Sequence, residues 1–371
     1  MAPQRPKGAG ALDTQTALSP APVPPRSPEL YAALDLGTNS CRMLVAQPSG
    51  SGFTVVDSFS KSVQLGAGLE QSGRLSRSSM TRTIQALRIC QQKLKRNKVR
   101  HMRLVATEAC RRATNAEDFI RRVERETGLT LEIIKPQEEA QLAVISCAPL
   151  VSRSTENLLV VDIGGGSTEL VWIDLSDVPK RDRPRAIMRL NAGFAQGMSD
   201  IPAARVVDWI SVPLGVATLR DQFNDVDDDA ARFALMSWFF EENLADFTPY
   251  HDTQPQKRFQ IVGTSGTVTT VAASHLGLRR YDRTKVDGLH MTTEQIDRVI
   301  RSYLALGPEG RRADPRIGQD RHALIMSGAA ILQALMRCWP TDRLSVADRG
   351  LREGLLYAQM SAHGVLEDGE L

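Results

Sequence analysis

One pattern, written twice, constrains this chain more than anything else in it. Ala32–Val45 reads AALDLGTNSCRMLV and Leu159–Trp172 reads LVVDIGGGSTELVW. Each is an apolar run ending in Asp, then Gly and small polar residues, then an apolar run in return. Apolar runs bounded by such a turn signal predict a β-hairpin. A unit repeated once at long range predicts two related domains facing each other rather than a solenoid. With 371 residues the chain is long enough for two domains. The turns suit a phosphate, because small residues let the backbone approach and successive N–H groups form an anion-binding concavity. Gly37, Thr38, Asn39 and Ser40 make the first turn; Gly164, Gly165, Gly166, Ser167 and Thr168 make the second. Asp35 and Asp162, closing the outgoing strands, are of a type that holds a metal ion or positions a water.

Around the hairpins strand and helix signals alternate, which predicts an α/β fold with mixed sheets. Strands are expected over Tyr31–Leu36, Cys41–Gln47, Phe53–Val63, Met102–Ala106, Leu129–Ile134, Asn157–Ile163, Glu169–Ile173, Arg258–Val262 and Arg343–Ala347. Helices are expected over Met80–Arg96, from Asn115 as N-cap to about Glu126, and over Gln137–Cys147, Asp227–Phe247, Thr267–His275, Gly318–Cys338 and Gly350–Ala362. Gly263, Ser265 and Gly266 lie in a strand–turn–helix element, IVGTSGT, whose helix N-terminus is a third phosphate cradle. Residues 1–28, with seven prolines, predict a disordered tail and a poor secretory signal.

Composition excludes more than it assigns. No apolar run approaches the ~20 residues of a membrane span. Five scattered cysteines and six histidines show no metal-ligand spacing and no disulfide framework, which fits a reduced, cytoplasmic setting. A net charge of +3 is too small to argue for nucleic acid. Its distribution is uneven: ten Lys/Arg and no Asp or Glu lie between Gln71 and Thr107, Lys93, Lys95, Arg96 and Lys98 among them. That stretch is a candidate track for a polyanion, or the polar side of a helix.

Taken in order, DLGTNSCR, ATEACRRATN, PQEEAQL, VVDIGGGSTEL, VPLG, GTSGTV and ADRGLREG resemble the exopolyphosphatase/guanosine pentaphosphate phosphatase (Ppx/GppA) family from Tyr31 to Tyr357. The resemblance implies the fold class of actin, Hsp70 and sugar kinases: two RNase H-like domains, 29–142 and 143–349, around a cleft, with a last helix near 350–371 packing back on the first. It places the general base on Glu139, a metal- and water-positioning carboxylate on Asp162, a second metal carboxylate on Glu169 and a phosphate clamp on Arg111, with Asn39, Ser40 and Arg42 from the first turn. Spacing alone does not choose between the adjacent Glu138 and Glu139, which point about 100° apart on a helix. Two places depart from the family pattern: Ile134-Lys135-Pro136-Gln137 stands where many members have a Ser-Gly turn, and Ala323 stands where members usually carry an aspartate. The implied cofactor is Mg²⁺, with K⁺ as a companion. The implied substrate is inorganic polyphosphate, or alternatively guanosine pentaphosphate, with a homodimer as assembly and no nucleic acid or membrane partner. A non-enzymatic nucleotide-binding module of the actin or Hsp70 kind is the distant alternative.

Overall fold

The computed structural model describes residues 29–193, 204–252, 258–318 and 321–366. The expected tail at 1–28 lies outside them. The strands are β1 (Tyr31–Leu36), β2 (Ser40–Ser49), β3 (Gly52–Ser62), β4 (His101–Ala106), β5 (Glu132–Ile133), β6 (Asn157–Ile163), β7 (Thr168–Asp174), β8 (Arg205–Val212), β9 (Phe259–Thr264), β10 (His290–Met291) and β11 (Leu344–Ala347). The helices are α1 (Leu69–Ser72), α2 (Arg77–Arg96), α3 (Glu108–Arg112), α4 (Ala116–Thr127), α5 (Pro136–Cys147), α6 (Arg183–Gly193), α7 (Val216–Gln222), α8 (Asp229–Glu242), α9 (Gly266–His275), α10 (Arg283–Val286), α11 (Thr293–Ala313), α12 (Ile325–Cys338) and α13 (Leu351–Ala362).

The strands form two mixed sheets, ordered β3-β2-β1-β4-β5 and β10-β11-β9-β6-β7-β8. Each repeated unit is an antiparallel hairpin at the heart of its sheet, β1 with β2 and β6 with β7. The next strand lies parallel to the hairpin's first strand, β4 beside β1 and β9 beside β6. Both β1 and β6 are buried along almost their whole length, as strands covered on both faces must be. This is the two-sheet, helix-flanked α/β architecture that the repeat and the resemblance imply.

Two helices join the sheets. On α5, Leu142 packs with Tyr31, Ala33 and Val105 of the first sheet, whereas Ala140, Val144 and Cys147 pack with Leu158, Val160 and Val171 of the second. The expected boundary at 142/143 therefore falls inside a helix shared by two cores. Helix α13 packs Leu355, Leu356 and Met360 on the first sheet and lies against α5. A Cβ at Gly354 would overlap the Leu142 carbonyl, so glycine sets that close approach.

Several elements differ from the sequence reading. The strand expected over Leu129–Ile134 is reduced to Glu132–Ile133, while Leu129, Leu131 and Ile134 turn into the core. Helix α12 starts at Ile325 rather than Gly318, which has φ +80°. Helix α8 is shorter than expected, capped by the Asp228 side chain on Ala231 N–H and ending before Asn243. Asn115 precedes α4 as expected but does not cap it: its amide instead bonds both backbone groups of Leu75. Strands β8 and β10 carry no signal that the sequence reading used.

Candidate active site

The two repeated turns meet. A Cβ added at Gly165 would lie 3.1 Å from Asn39 N and 3.3 Å from Thr38, and one at Gly166 would overlap Thr38 and Glu108. The second turn is therefore glycine because the first packs onto it. Gly215, of VPLG, closes over the same turn, and Val216 N–H and Ala217 N–H bond the Gly164 and Gly165 carbonyls. Thr38 Oγ1 is buried at this junction without a hydrogen-bond partner.

Beside the junction lies a cavity of about 310 Å³ between the sheets. Its walls include Asp35, Gly37, Thr38, Asn39, Ser40 and Arg42 from the first hairpin, and Asp162, Gly164, Gly165, Gly166 and Ser167 from the second. Ser265 and Gly266 at the start of α9, Glu139, and Arg321, Arg349 and Arg352 complete it. Four expected residues stand elsewhere, Arg111 among them, which reaches the wall only through its bond to Glu139. Thr168 donates its hydroxyl to the Leu214 carbonyl inside the fold. Gly263 lies within β9, where a Cβ would meet Val268 at 3.3 Å, so it serves strand–helix packing. Glu169 is buried behind the wall, accepting from Ser211 Oγ at 2.8 Å.

The pair of glutamates separates cleanly. Pro136 opens α5 at its first turn, where its missing N–H costs nothing. Glu138 then turns outward to Arg103 at 2.5 Å, while Glu139 turns into the cavity. Arg111 holds Glu139 Oε2 at 2.7 Å through Nη1, the Ile134 carbonyl at 3.1 Å, and Glu108 Oε2 at 2.8 Å through Nη2. Burial pushes the Glu139 carboxyl well up, helped by the charge of Glu169 and opposed by Arg111. Asp162 is pushed up to about 8 by burial first and then by Glu139 and Asp35. Glu169 is pushed up to about 7 by burial and by Asp162. Arg42 is held below its usual value by burial and by the charges of Arg352 and Arg321, with Asp35 and Asp162 opposing the shift. The cavity thus joins an anionic set, Glu139 and Asp162, to a cationic set that meets it at Arg42.

The anionic side fits a hard cation. Asp162 and Glu169 are directly paired across β6 and β7. Among the described residues no cluster of three or more His, Cys, Asp or Glu converges. Mg²⁺ takes one or two carboxylates and fills its other positions with water and phosphate oxygens, which is the donor set present.

The basic stretch of Gln71–Thr107 is not the unopposed track expected of it. Folding brings Asp57 of β3 between Lys93 at 2.6 Å and Arg96 at 2.9 Å, Glu126 to Arg88, and Glu132 and Glu138 to Arg103. None of Lys93, Lys95, Arg96 and Lys98 lines the cavity. Its cations instead include Arg321, which donates to the Gly266 carbonyl at 3.0 Å, together with Arg349 and Arg352. The last two sit in the ADRGLREG segment, which is legible as a motif but carries no charge argument. Lys61, at the end of β3, also lines the cavity and has no sequence signal at all.

Two mixed sheets that present paired glycine turns to a polar cleft define a two-sheet α/β protein with a cleft suited to an anion. Within that class, the profile of the Ppx/GppA phosphatase family matches residues 44–363, and the chain belongs to that family. It is 29% identical over 328 residues to the guanosine-5'-triphosphate,3'-diphosphate pyrophosphatase of Aeromonas salmonicida, covering 88% of this chain and 59% of that protein. The Aeromonas hydrophila protein of the same name is 28% identical over the same length. The chain therefore spans about three fifths of these curated relatives. Among solved structures, the Aquifex aeolicus Ppx/GppA family member superposes with TM-score 0.69 at 29% identity, over 90% of this chain and 98% of that one. An exopolyphosphatase from Cytophaga hutchinsonii superposes with TM-score 0.75 at 21% identity, over 91% and 100%, a likeness of fold. Among the described residues no helix is long and apolar enough to cross a membrane.

Proposed function

We propose that this chain hydrolyses the terminal phosphoanhydride bond of a chain of linked phosphates, with inorganic polyphosphate as substrate. The observation that carries the reading is Glu139, fixed by Arg111 at 2.7 Å, in the wall of a cavity that Arg42, Arg321 and Arg352 also line. Burial raises the affinity of the Glu139 carboxylate for protons, which suits it to accept one from water. A water beside Glu139 attacks the terminal phosphorus and gives its proton to the carboxylate. A new P–O bond forms, the bridging P–O bond breaks in line, and its electron pair leaves on the shortened chain. The backbone N–H groups of both turns and the three arginines bind the phosphate oxygens before and during the step. Asp162 and Glu169 would hold Mg²⁺, which when bound supplies positive charge to those oxygens.

A second reading keeps the chemistry and makes guanosine pentaphosphate the substrate. It is supported by the names of the two Aeromonas relatives. One assay separates the readings: orthophosphate release from long polyphosphate, guanosine pentaphosphate and ATP, compared at equal concentration. Release from polyphosphate is expected to dominate. Cleavage of guanosine pentaphosphate with none of polyphosphate promotes the second reading, and release from none of them removes both.

A further inference from the structure

Attack from the Glu139 side leaves the cleaved orthophosphate in a confined position. In an in-line displacement the entering water and the leaving oxygen lie on opposite sides of phosphorus. The product orthophosphate therefore ends nearest Glu139, and the remainder of the chain lies toward the arginine wall. A chain that stays bound for its next cut blocks the front of the cleft.

Behind Glu139 there is a second cavity, of about 500 Å³, lined among others by Arg111, Thr114, Arg121, Ile133 and Lys135. Arg111 lines this cavity and not the main one. Its side chain is 13% exposed, while its guanidinium reaches inward to Glu139, Glu108 and the Ile134 carbonyl. One guanidinium thus partitions the two spaces. On the outer side Lys135 is exposed and makes no ion pair with any described residue. The acids of the second cavity, Glu117 and Asp118, are both engaged by Arg121.

We propose that this second cavity is the exit site for orthophosphate, with Arg111 as the movable partition and Lys135 as the cation that receives the anion. The proposal rests on the hydrolytic reading above. Chemistry at Glu139 removes one of the two ion pairs that hold the partition. Once Glu139 holds the proton from water, its bond to Arg111 is no longer an ion pair, and the guanidinium keeps Glu108 and the Ile134 carbonyl as its remaining partners. The guanidinium is then better matched to the orthophosphate dianion than to its former partner. No covalent bond is made or broken in this step.

Two variants test the exit without touching the groups that do the chemistry. Ile133→Trp fills the cavity from a side chain that is 37% exposed and has room to grow. Lys135→Glu reverses the receiving charge. Cleavage is followed by quenched flow and free orthophosphate by a fluorescent phosphate-binding sensor in the same reaction. The first cleavage event is expected at the wild-type rate in both variants, with orthophosphate release slowed at least about tenfold, or 1.4 kcal/mol, and Lys135→Arg restoring release. Unchanged release in both variants overturns the proposal, as does equal slowing of cleavage and release. If the wild-type protein cleaves no phosphate chain, the hydrolytic reading fails separately. Exchange of added orthophosphate, read from ³¹P line broadening, then tests the exit without turnover: slower exchange in both variants supports it, and identical exchange sinks it.

Discussion

The two hairpins share a turn and differ at one place. Counting from the aspartate that ends each outgoing strand, the same offset reaches Arg42 in the first hairpin and Glu169 in the second, and both are directly cross-strand from their aspartate. In the first, a half-buried carboxylate faces a half-buried guanidinium, and each opposes the shift that burial imposes on the other. In the second, a half-buried carboxylate faces a buried one, and Glu169 is pushed up further by Asp162. Like charges across a strand pair are destabilising. The first hairpin is electrostatically complete without a ligand, whereas the second becomes so when a cation joins it. On the proposed function, one duplicated unit supplies an arginine for phosphate from one hairpin and a carboxylate pair for a cation from the other.

The largest effect concerns the base that stands over the second hairpin. Glu139→Gln keeps the bond to Arg111 but removes the proton acceptor. Turnover is expected to fall about 10²–10⁴-fold with KM little changed, the usual contribution of a general base. Glu138→Gln loses only an outward pair with Arg103 and is expected to stay near wild type. The reverse ranking in a steady-state assay would assign the base to the wrong glutamate.

Next is the substitution that makes the second hairpin a copy of the first. Glu169→Arg should replace the missing cation with a fixed one. We expect a loss of about 10²–10³-fold, the scale of removing one oriented electrostatic partner from a transition state. Activity should also stop responding to Mg²⁺ and EDTA. A wild-type protein that is fully active in excess chelator would take the metal out of the comparison altogether.

Much of this contrast is legible in the amino-acid sequence. The repeat, the two turns, the arginine after DLGTNSC and the glutamate after GGGST are all local patterns, and local patterns survive folding. The choice of Glu139 over Glu138 comes from resemblance, because helical spacing leaves both open; in three dimensions Glu138 pairs with Arg103 and only Glu139 lines the cavity. The basic stretch misleads because charge balance is not local. Asp57 and Glu126 lie outside the window in which ten cations stand unopposed, and the hairpin and α4 carry them back to it. The cavity's own cations, Arg321, Arg349 and Arg352, come from segments far apart in sequence from the two turns, and only the fold gathers them there.

A smaller effect is expected on the first hairpin. Arg42→Gln removes one charge from the wall formed with Arg321 and Arg352, and a hydrogen bond to a charged group contributes about 1.5–3 kcal/mol. KM should rise about 10–100-fold, with turnover less affected. Arg42→Lys should recover little of it, since a point charge does not reproduce a planar fork. Equal losses in kcat and KM would place Arg42 in the chemical step rather than in binding.

The smallest effect is on stability, and here the two hairpins should respond to different extents. Asp162 titrates near 8 when folded and close to 3.9 when unfolded. Between those values the native state holds the extra proton, so stability falls as pH rises through that window. Asp162→Asn escapes this loss. In chelator at pH 8 its Tm should exceed that of the wild type by about 2–4 °C for each kcal/mol relieved. At pH 4, where the native carboxyl is already neutral, the difference should close. Added Mg²⁺ should raise the wild-type Tm at pH 8 and leave the variant unmoved, because only the wild type keeps the paired carboxylates. Asp35→Asn should gain less, since burial raises that carboxyl as well but the substitution also strips Arg42 of its cross-strand partner. Melting curves of the two variants at the two pH values would decide the matter. A gain in Tm from Asp35→Asn equal to that from Asp162→Asn would mean that burial alone, and not the residue across the strand, sets the cost of each aspartate.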